Sequence, residues 1–270
     1  MTRKVYELLV SGGKDSVAAA TIAFEEARRL GIDARVVFIN ELRAFRVPED
    51  ALPHKPVDYV KRFAQWLGAE LVVLEPEFDF WDGVKRWGYP HVFHNRWCML
   101  YLKRRPLERF AHEEIRRGFL PVFVTGIRRD ESFRRAQIYT AKRMMFDYGG
   151  VRLENYYPIL NWSDEQVESF IRERGVPENP LWRLGFSFEC ICMAGTSVKQ
   201  LNRVIAEFPR LAEFLAEMDR EINQPQNRWS GTVGLPTPLY KAGVKKPLWQ
   251  YIEEKLRQKT MLDYARGEQQ

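Results

Sequence analysis

The chain has 270 residues, 45% of them apolar and 13% aromatic, with 42 Lys+Arg against 36 Asp+Glu and a formal charge of +6. That composition suits one large globular domain, or a domain with an appendage, and with 17 Gly and 15 Pro it excludes collagen-like, low-complexity and disordered chains. No apolar run approaches the roughly 20 residues that cross a bilayer, and no signal-peptide core opens the chain, so a cytoplasmic protein without a membrane partner is expected.

Val5 to Val10 is a short apolar run stopped by Gly12-Gly13, and Ser16 to Leu30 follows with helical apolar spacing. The chain therefore opens strand, glycine turn, helix. Arg35 to Ile39 and Glu70 to Leu74 are further strand candidates, with helical spacing over Val57 to Leu67 between them. Arg96 to Arg117 reads as a long basic helix that Pro106 must kink or split, since proline donates no backbone hydrogen bond and crowds the preceding turn. Pro121 to Thr125 is the fourth strand. Strands alternating with helices predict an α/β fold, a Rossmann-like parallel sheet with helices on both faces that receives ligands at the carboxyl ends of its strands.

After Tyr157-Pro158 the alternation stops. Ser163 is a helix cap with Gln166 at the capping-box position and Trp162 and Val167 as a hydrophobic staple. Pro177 to Pro180 forms a turn, Cys190 to Gly195 a loop, and Ser197 to Ile222 a helix interrupted at Pro209. Asn223 to Val244 reads as a loop or linker, and Pro247 to Tyr264 as an amphipathic closing helix. The expected organisation is an α/β domain over residues 1–160 and a mainly helical carboxyl-terminal extension over residues 161–270 that carries the Cys-x-Cys loop.

Between Arg96 and Arg143 there are 13 basic residues against 5 acidic ones. Such a window is either a set of solvated helix faces or a surface for polyphosphate or nucleic acid. The sharpest local signal is Ser11-Gly12-Gly13-Lys14-Asp15-Ser16. Its glycines let backbone N–H groups turn toward an anion, the following helix presents its positive end, and Lys14 and the hydroxyls add further donors. The spacing is not that of a Walker A loop. Arg128 and Arg129 follow the fourth strand, so they emerge at the same carboxyl edge, where guanidinium forks suit phosphate or sulfate oxygens. Asp130 and Glu131 either help to hold Mg²⁺ or neutralise their neighbours.

Ser11 to Ser16 resembles the loop of the PP-loop ATP pyrophosphatases, Ser-Gly-Gly-x-Asp-Ser after a first strand. Four further segments are similar to the phosphoadenosine phosphosulfate (PAPS) reductase branch: Arg96-Trp97-Cys98 with Lys103 and Pro106-Leu107, Gly126 to Ser132, Tyr157 to Ser163, and Asn179-Pro180-Leu181. The likeness spans roughly residues 5 to 195. It implies an adenine nucleotide alpha hydrolase-like fold and a loop that grips the pyrophosphate of Mg-ATP. ATP would be cleaved to AMP and pyrophosphate as an acceptor is adenylated, probable sulfur transfer to a nucleic acid or metabolite being the coupled step.

On this resemblance Ser11, Gly12, Gly13, Lys14, Asp15, Ser16 and Gly126 contact the nucleotide, and Asn40, by its place just after the second strand, is expected to touch the adenosine. Lys14, Asp15, Arg128 and Arg129 serve the reacting phosphates. PAPS and APS reductases use a degenerate loop because no pyrophosphate leaves, whereas the loop here is intact, so ATP cleavage is expected ahead of sulfite release. A nucleic-acid-binding partner that uses the nucleotide as a switch is the third reading. Expected partners are an adenine nucleotide, a tRNA or DNA acceptor and a sulfur-donor protein.

Cys98, Cys190 and Cys192 are the chain's only cysteines. APS reductases hold an iron–sulfur cluster with a Cys-Cys pair and a later Cys-x-x-Cys. Met99 stands in the second place here, and the later pair is one residue short. Three readings follow: a three-thiolate cluster with these residues as metal ligands, catalytic or persulfide-carrying thiols, or small side chains packed in a core.

Overall fold

The computed structural model describes residues 3–90, 96–186, 191–192, 197–222 and 246–267, with side chains to residue 259 in the last helix. In chain order the elements are β1 (Arg3–Leu9), α1 (Lys14–Leu30), β2 (Asp33–Ile39), α2 (Glu41–Ala44), α3 (Pro56–Leu67), β3 (Glu70–Leu74) and α4 (Phe80–Trp87). A π-helical stretch, Met99–Arg104, leads into α5 (Arg105–Arg116), followed by β4 (Phe119–Val124), α6 (Phe133–Ile138), β5 (Arg143–Tyr148), β6 (Val151–Tyr156) and α7 (Asp164–Glu173). A 3-10 turn, Pro180–Leu184, precedes α8 (Val198–Glu207), α9 (Pro209–Ile222) and α10 (Leu248–Gly267).

The six strands form one sheet in the order β3-β2-β1-β4-β6-β5, parallel except for the β5–β6 pair. The expected α/β class is therefore what the chain adopts. The order reverses direction between β1 and β4, which opens a crevice at their carboxyl ends. Alternation along β1 sends Tyr6, Leu8 and Val10 into a core shared with α1, α3 and α7, while Leu9 joins Val37, Phe110, Ala111 and Phe123 under α5 on the opposite face.

The basic helix is divided beside Pro106, as expected: Met99–Arg104 is wound as a π-helix and α5 begins at Arg105 with Pro106 in its first turn, where a missing N–H is tolerated. Beyond the four expected strands lies a hairpin, β5–β6, closed by Gly149 and Gly150 with φ of 63° and 91°. Positive φ at both central residues is the type I′ geometry that matches strand twist.

The chain divides into two compact units that interleave along the sequence. The first comprises residues 1–41, 54–76 and 103–189 and holds the sheet, whereas the second comprises residues 42–53, 77–102 and 190–270. The division at residue 160 drawn above is a linear one. Within the second unit, α9 packs against α4, α8 and α10. Tyr89 donates to Asp219 Oδ1 at 2.5 Å and the Trp249 amide to Asp219 Oδ2 at 3.0 Å, so one buried carboxylate ties α9 to the start of α10. Among the described residues no helix is long and apolar enough to cross a membrane.

Candidate functional site

The loop Ser11–Ser16 leaves β1 at the sheet's reversal point. Gly12 sits at φ +89°, a left-handed conformation that a side chain rarely adopts. Its carbonyl accepts from Trp182 Nε1 at 2.8 Å and from Asn179 Nδ2 at 3.1 Å. A trans peptide points its C=O and N–H in opposite directions, so two donors holding the Gly12 oxygen turn the Gly13 amide the other way. The hydroxyls tie the loop internally. Ser16 Oγ donates to the Gly13 carbonyl at 2.8 Å and accepts from the Ser11 amide at 3.2 Å.

Helix α1 starts at Lys14 on an extended Gly13 that offers no side-chain cap. The first-turn amides of a 17-residue helix are thereby left to an external acceptor, and its dipole favours an anion there.

Gly126, at the end of β4, touches this loop so closely that a Cβ would lie 2.4 Å from the Asp15 backbone. Only a glycine lets the two connections meet. Arg128, 4% exposed, then reaches across: Nε donates to Asp15 Oδ2 at 2.9 Å, Nη2 to Asp164 Oδ1 at 2.5 Å and Nη1 to the Trp162 carbonyl at 3.3 Å. Burial works against its charge, but the hydrogen bonds and charges of Asp15 and Asp164 outweigh it and raise the guanidinium further above its ordinary range. Asp164 opens α7 through the Ser163–Gln166 capping box, as the sequence predicts. Arg128 therefore fastens the loop to the amino end of α7.

The other expected site residues are placed as follows. Lys14 pairs with Glu168 of α7 on the rim of a cavity of about 450 Å³ that is also lined by Ile171, Val176, Trp182 and Arg183. Asn40 follows β2 at the same carboxyl edge, half-buried, its amide bonded to the Leu74 carbonyl at 2.8 Å. Its neighbour Glu41 is buried and pairs with Lys103 at 3.1 Å. Arg129 is exposed, with its amide on the Leu160 carbonyl at 2.9 Å. Glu131 accepts from the Arg128 amide at 3.2 Å and pairs with Arg135.

Cys98 and Cys192 are both half-buried in the second unit, and Cys190 lies outside the described residues. Among the described residues no group of three His, Cys, Asp or Glu side chains could hold a metal ion.

Sequence reasoning did not put Asn179, Trp182 or Asp164 in the site. Asn179-Pro180 is legible as a turn, and its Asn caps the 3-10 segment through the Leu181 amide at 3.0 Å. Nothing local indicates that the same side chain crosses to Gly12, 167 residues away.

Comparison with known proteins bears on this site. The family model of the phosphoadenosine phosphosulfate reductase domain matches residues 6–191. An uncharacterised protein of Methanocaldococcus jannaschii is 30% identical over 77% of this chain and 44% of its own length. Adenosine 5'-phosphosulfate reductase of Allochromatium vinosum is 28% identical over 54% of this chain and 55% of its own. The chain thus spans about half the length of the curated relatives it matches. Among solved structures, the phosphoadenylyl-sulfate reductase of Candida auris in complex with phosphate is 18% identical, with a TM-score of 0.45, over 67% of this chain and 78% of that one.

Proposed function

The chain belongs to the phosphoadenosine phosphosulfate reductase domain family, and from that premise we propose that it binds ATP at Ser11–Ser16 and cleaves it to AMP and pyrophosphate while adenylating an acceptor. An acceptor nucleophile attacks the α phosphorus, the α–β bridging bond breaks, and pyrophosphate departs with the bonding electrons. Acceptor adenylation then prepares a sulfur transfer.

The observation that carries this reading is the complete Ser-Gly-Gly-x-Asp-Ser loop, its Gly12 carbonyl held back by Asn179 and Trp182 and the following helix left without a side-chain cap. Donors arranged before the substrate arrives stabilise developing charge without reorganising. The loop amides would receive the leaving pyrophosphate, with Lys14 released from Glu168 to join them. Arg129, exposed beside Arg128, would face the α phosphate, and Asn40 the nucleoside. Arg128 is assigned to positioning Asp15.

Mg²⁺ binds through one or two carboxylates plus phosphate oxygens and neutralises their charge, and Asp15, on the loop itself, is the carboxylate present for it. Of the three thiols, Cys98 and Cys192 share a unit. All three stay assigned to the sulfur chemistry that follows adenylation, in which a sulfur-donor protein is the expected partner.

Incubation with ATP, Mg²⁺ and candidate acceptors should yield AMP and pyrophosphate; ADP and phosphate as the only products would refute the proposal. The likeness to adenosine 5'-phosphosulfate reductases favours a second reading, reductive release of sulfite from a phosphosulfate nucleotide. Sulfite formed from that nucleotide and a thiol, without turnover of ATP, would select it.

A further inference from the structure

The connection from β4 to β5 starts against the phosphate loop at Gly126 and Arg128, then runs out to the surface as residues 129–142. Its charges are distributed unevenly. Glu131 is occupied by Arg135 and by the Arg128 amide, Asp130 lies 3.9 Å from Arg128, and at the far end Arg143 is paired with Glu26 and Glu154. Arg129, Arg134 and Lys142 are exposed, and no carboxylate among the described residues pairs with them. The same connection carries Phe133, 79% exposed, the most exposed large apolar side chain among the described residues. Ile138, on the same short helix, is 41% exposed.

A bare aromatic ring on a connection that also carries uncompensated cations has a matching ligand chemistry. An apolar protein partner would cover Phe133 but leave the cations without counter-charge, and a simple anion would satisfy the cations but leave the ring in water. An unpaired stretch of nucleic acid does both, since its phosphates repeat along the chain and each base presents a face for stacking. We propose that residues 129–142 form a docking surface for single-stranded nucleic acid, with phosphates at Arg134 and Lys142 and an unstacked base on Phe133, Arg129 staying with the α phosphate of the nucleotide. The strand would then enter the site from the Gly126 end of the connection. This deepens the reading above by naming the acceptor's class, and it rests on that reading for the chemistry but not for the binding.

The test is fluorescence anisotropy of the full chain with labelled 12-nucleotide RNA and DNA single strands, a duplex, and a poly-glutamate peptide of equal charge. Two phosphate contacts on a single strand give a log–log salt slope of about −1.4, or roughly 7-fold weaker binding at 200 mM than at 50 mM salt. Phe133→Ala should weaken single-strand binding roughly 5- to 100-fold, and Arg134→Glu with Lys142→Glu should flatten the salt slope.

ATP affinity, measured in parallel by calorimetry, should be unchanged in these variants. Oligonucleotide binding that survives without any ATP affinity would sink the proposed reaction and leave the surface standing. The surface proposal is overturned if single strands do not bind or if the three substitutions change nothing. It is equally overturned if poly-glutamate binds as well as RNA and DNA, or if the chain self-associates through Phe133 instead.

Discussion

Arg35 and Arg128 each bridge a pair of carboxylates, one within the sheet and one at its edge, and their surroundings set them apart. Arg35 on β2 joins Glu7 of β1 and Glu114 of α5 in the middle of the sheet, under α5, where both carboxylates are fully buried. Arg128 joins Asp15 and Asp164 at the carboxyl edge, where Asp15 is 22% and Asp164 67% exposed. In the inner trio Glu7 Oε2 and Arg35 Nε have no hydrogen-bond partner among the described residues, and Glu114 has a second partner in Arg117 at 3.0 Å. The outer trio holds the Ser11–Ser16 loop. The same composition thus serves core integrity in one place and the placing of a loop in the other, and solvent access and the partner element decide which.

Substitution should separate the two roles. Arg35→Met leaves the buried Glu7 without a counter-charge and Glu114 with Arg117 alone, and breaking a buried pair typically destabilises by about 3–5 kcal/mol. Chemical denaturation is the measurement, and a loss under about 1 kcal/mol would show that water already reaches the trio. Gly126→Ala forces a methyl against the Asp15 backbone. Overpacking of that kind amounts to about 1–3 kcal/mol, expected here chiefly as a roughly 10- to 100-fold drop in ATP affinity by calorimetry. Arg128→Met should lower ATP affinity more than it lowers stability, because water can hydrate the exposed Asp164 it leaves behind. Equal stability losses for the Arg35 and Arg128 variants would erase the contrast.

The inner trio also predicts a pH response. Burial, only partly opposed by Arg35, raises the Glu7 carboxyl from its ordinary 4.5 to about 7. Between those values the folded chain keeps a proton that the unfolded chain has released, so stability should fall as pH rises from about 5 to about 7. The slope cannot exceed about 1.4 kcal/mol per pH unit for a single group. Glu7→Gln should flatten it in thermal melts across that range, whereas an unchanged slope would place the titration elsewhere.

The contrast shows what a linear chain reveals. The turn at Ser11–Ser16 was legible because its glycines, hydroxyls and following helix are contiguous, and so was the capping box at Ser163, whose partners lie three residues apart. The inner trio was not. Glu7 interrupts an apolar run that a sheet buries on both faces, and only register and the docking of α5 bring Arg35 and Glu114 to it. The hairpin carried its signal in Gly149-Gly150, a two-residue glycine turn between β-branched and aromatic residues. Arg128 was readable as a residue of the carboxyl edge, but its engagement by Asp15 and Asp164 depends on two later segments converging on the loop.

The smallest expected effect is at the Gly12 carbonyl, where two donors share one acceptor. Asn179→Ala removes one hydrogen bond, a net loss of about 1 kcal/mol, and Trp182 Nε1 still holds the oxygen at 2.8 Å. ATP affinity should therefore fall by roughly 5-fold or less, and Trp182→Phe, which removes the other donor while keeping the ring, should do about the same. With both donors gone the peptide is held by side chains only through the long 3.4 Å hydrogen bond from the Gly13 amide to Ser11 Oγ, and its direction loosens. The double variant should then fall further than the product of the two single effects, a coupling of 0.5 kcal/mol or more for residues that share a partner. Strict additivity would mean that the two donors merely pack the turn, and that the loop keeps its shape from Ser11, Ser16 and the left-handed Gly12 alone.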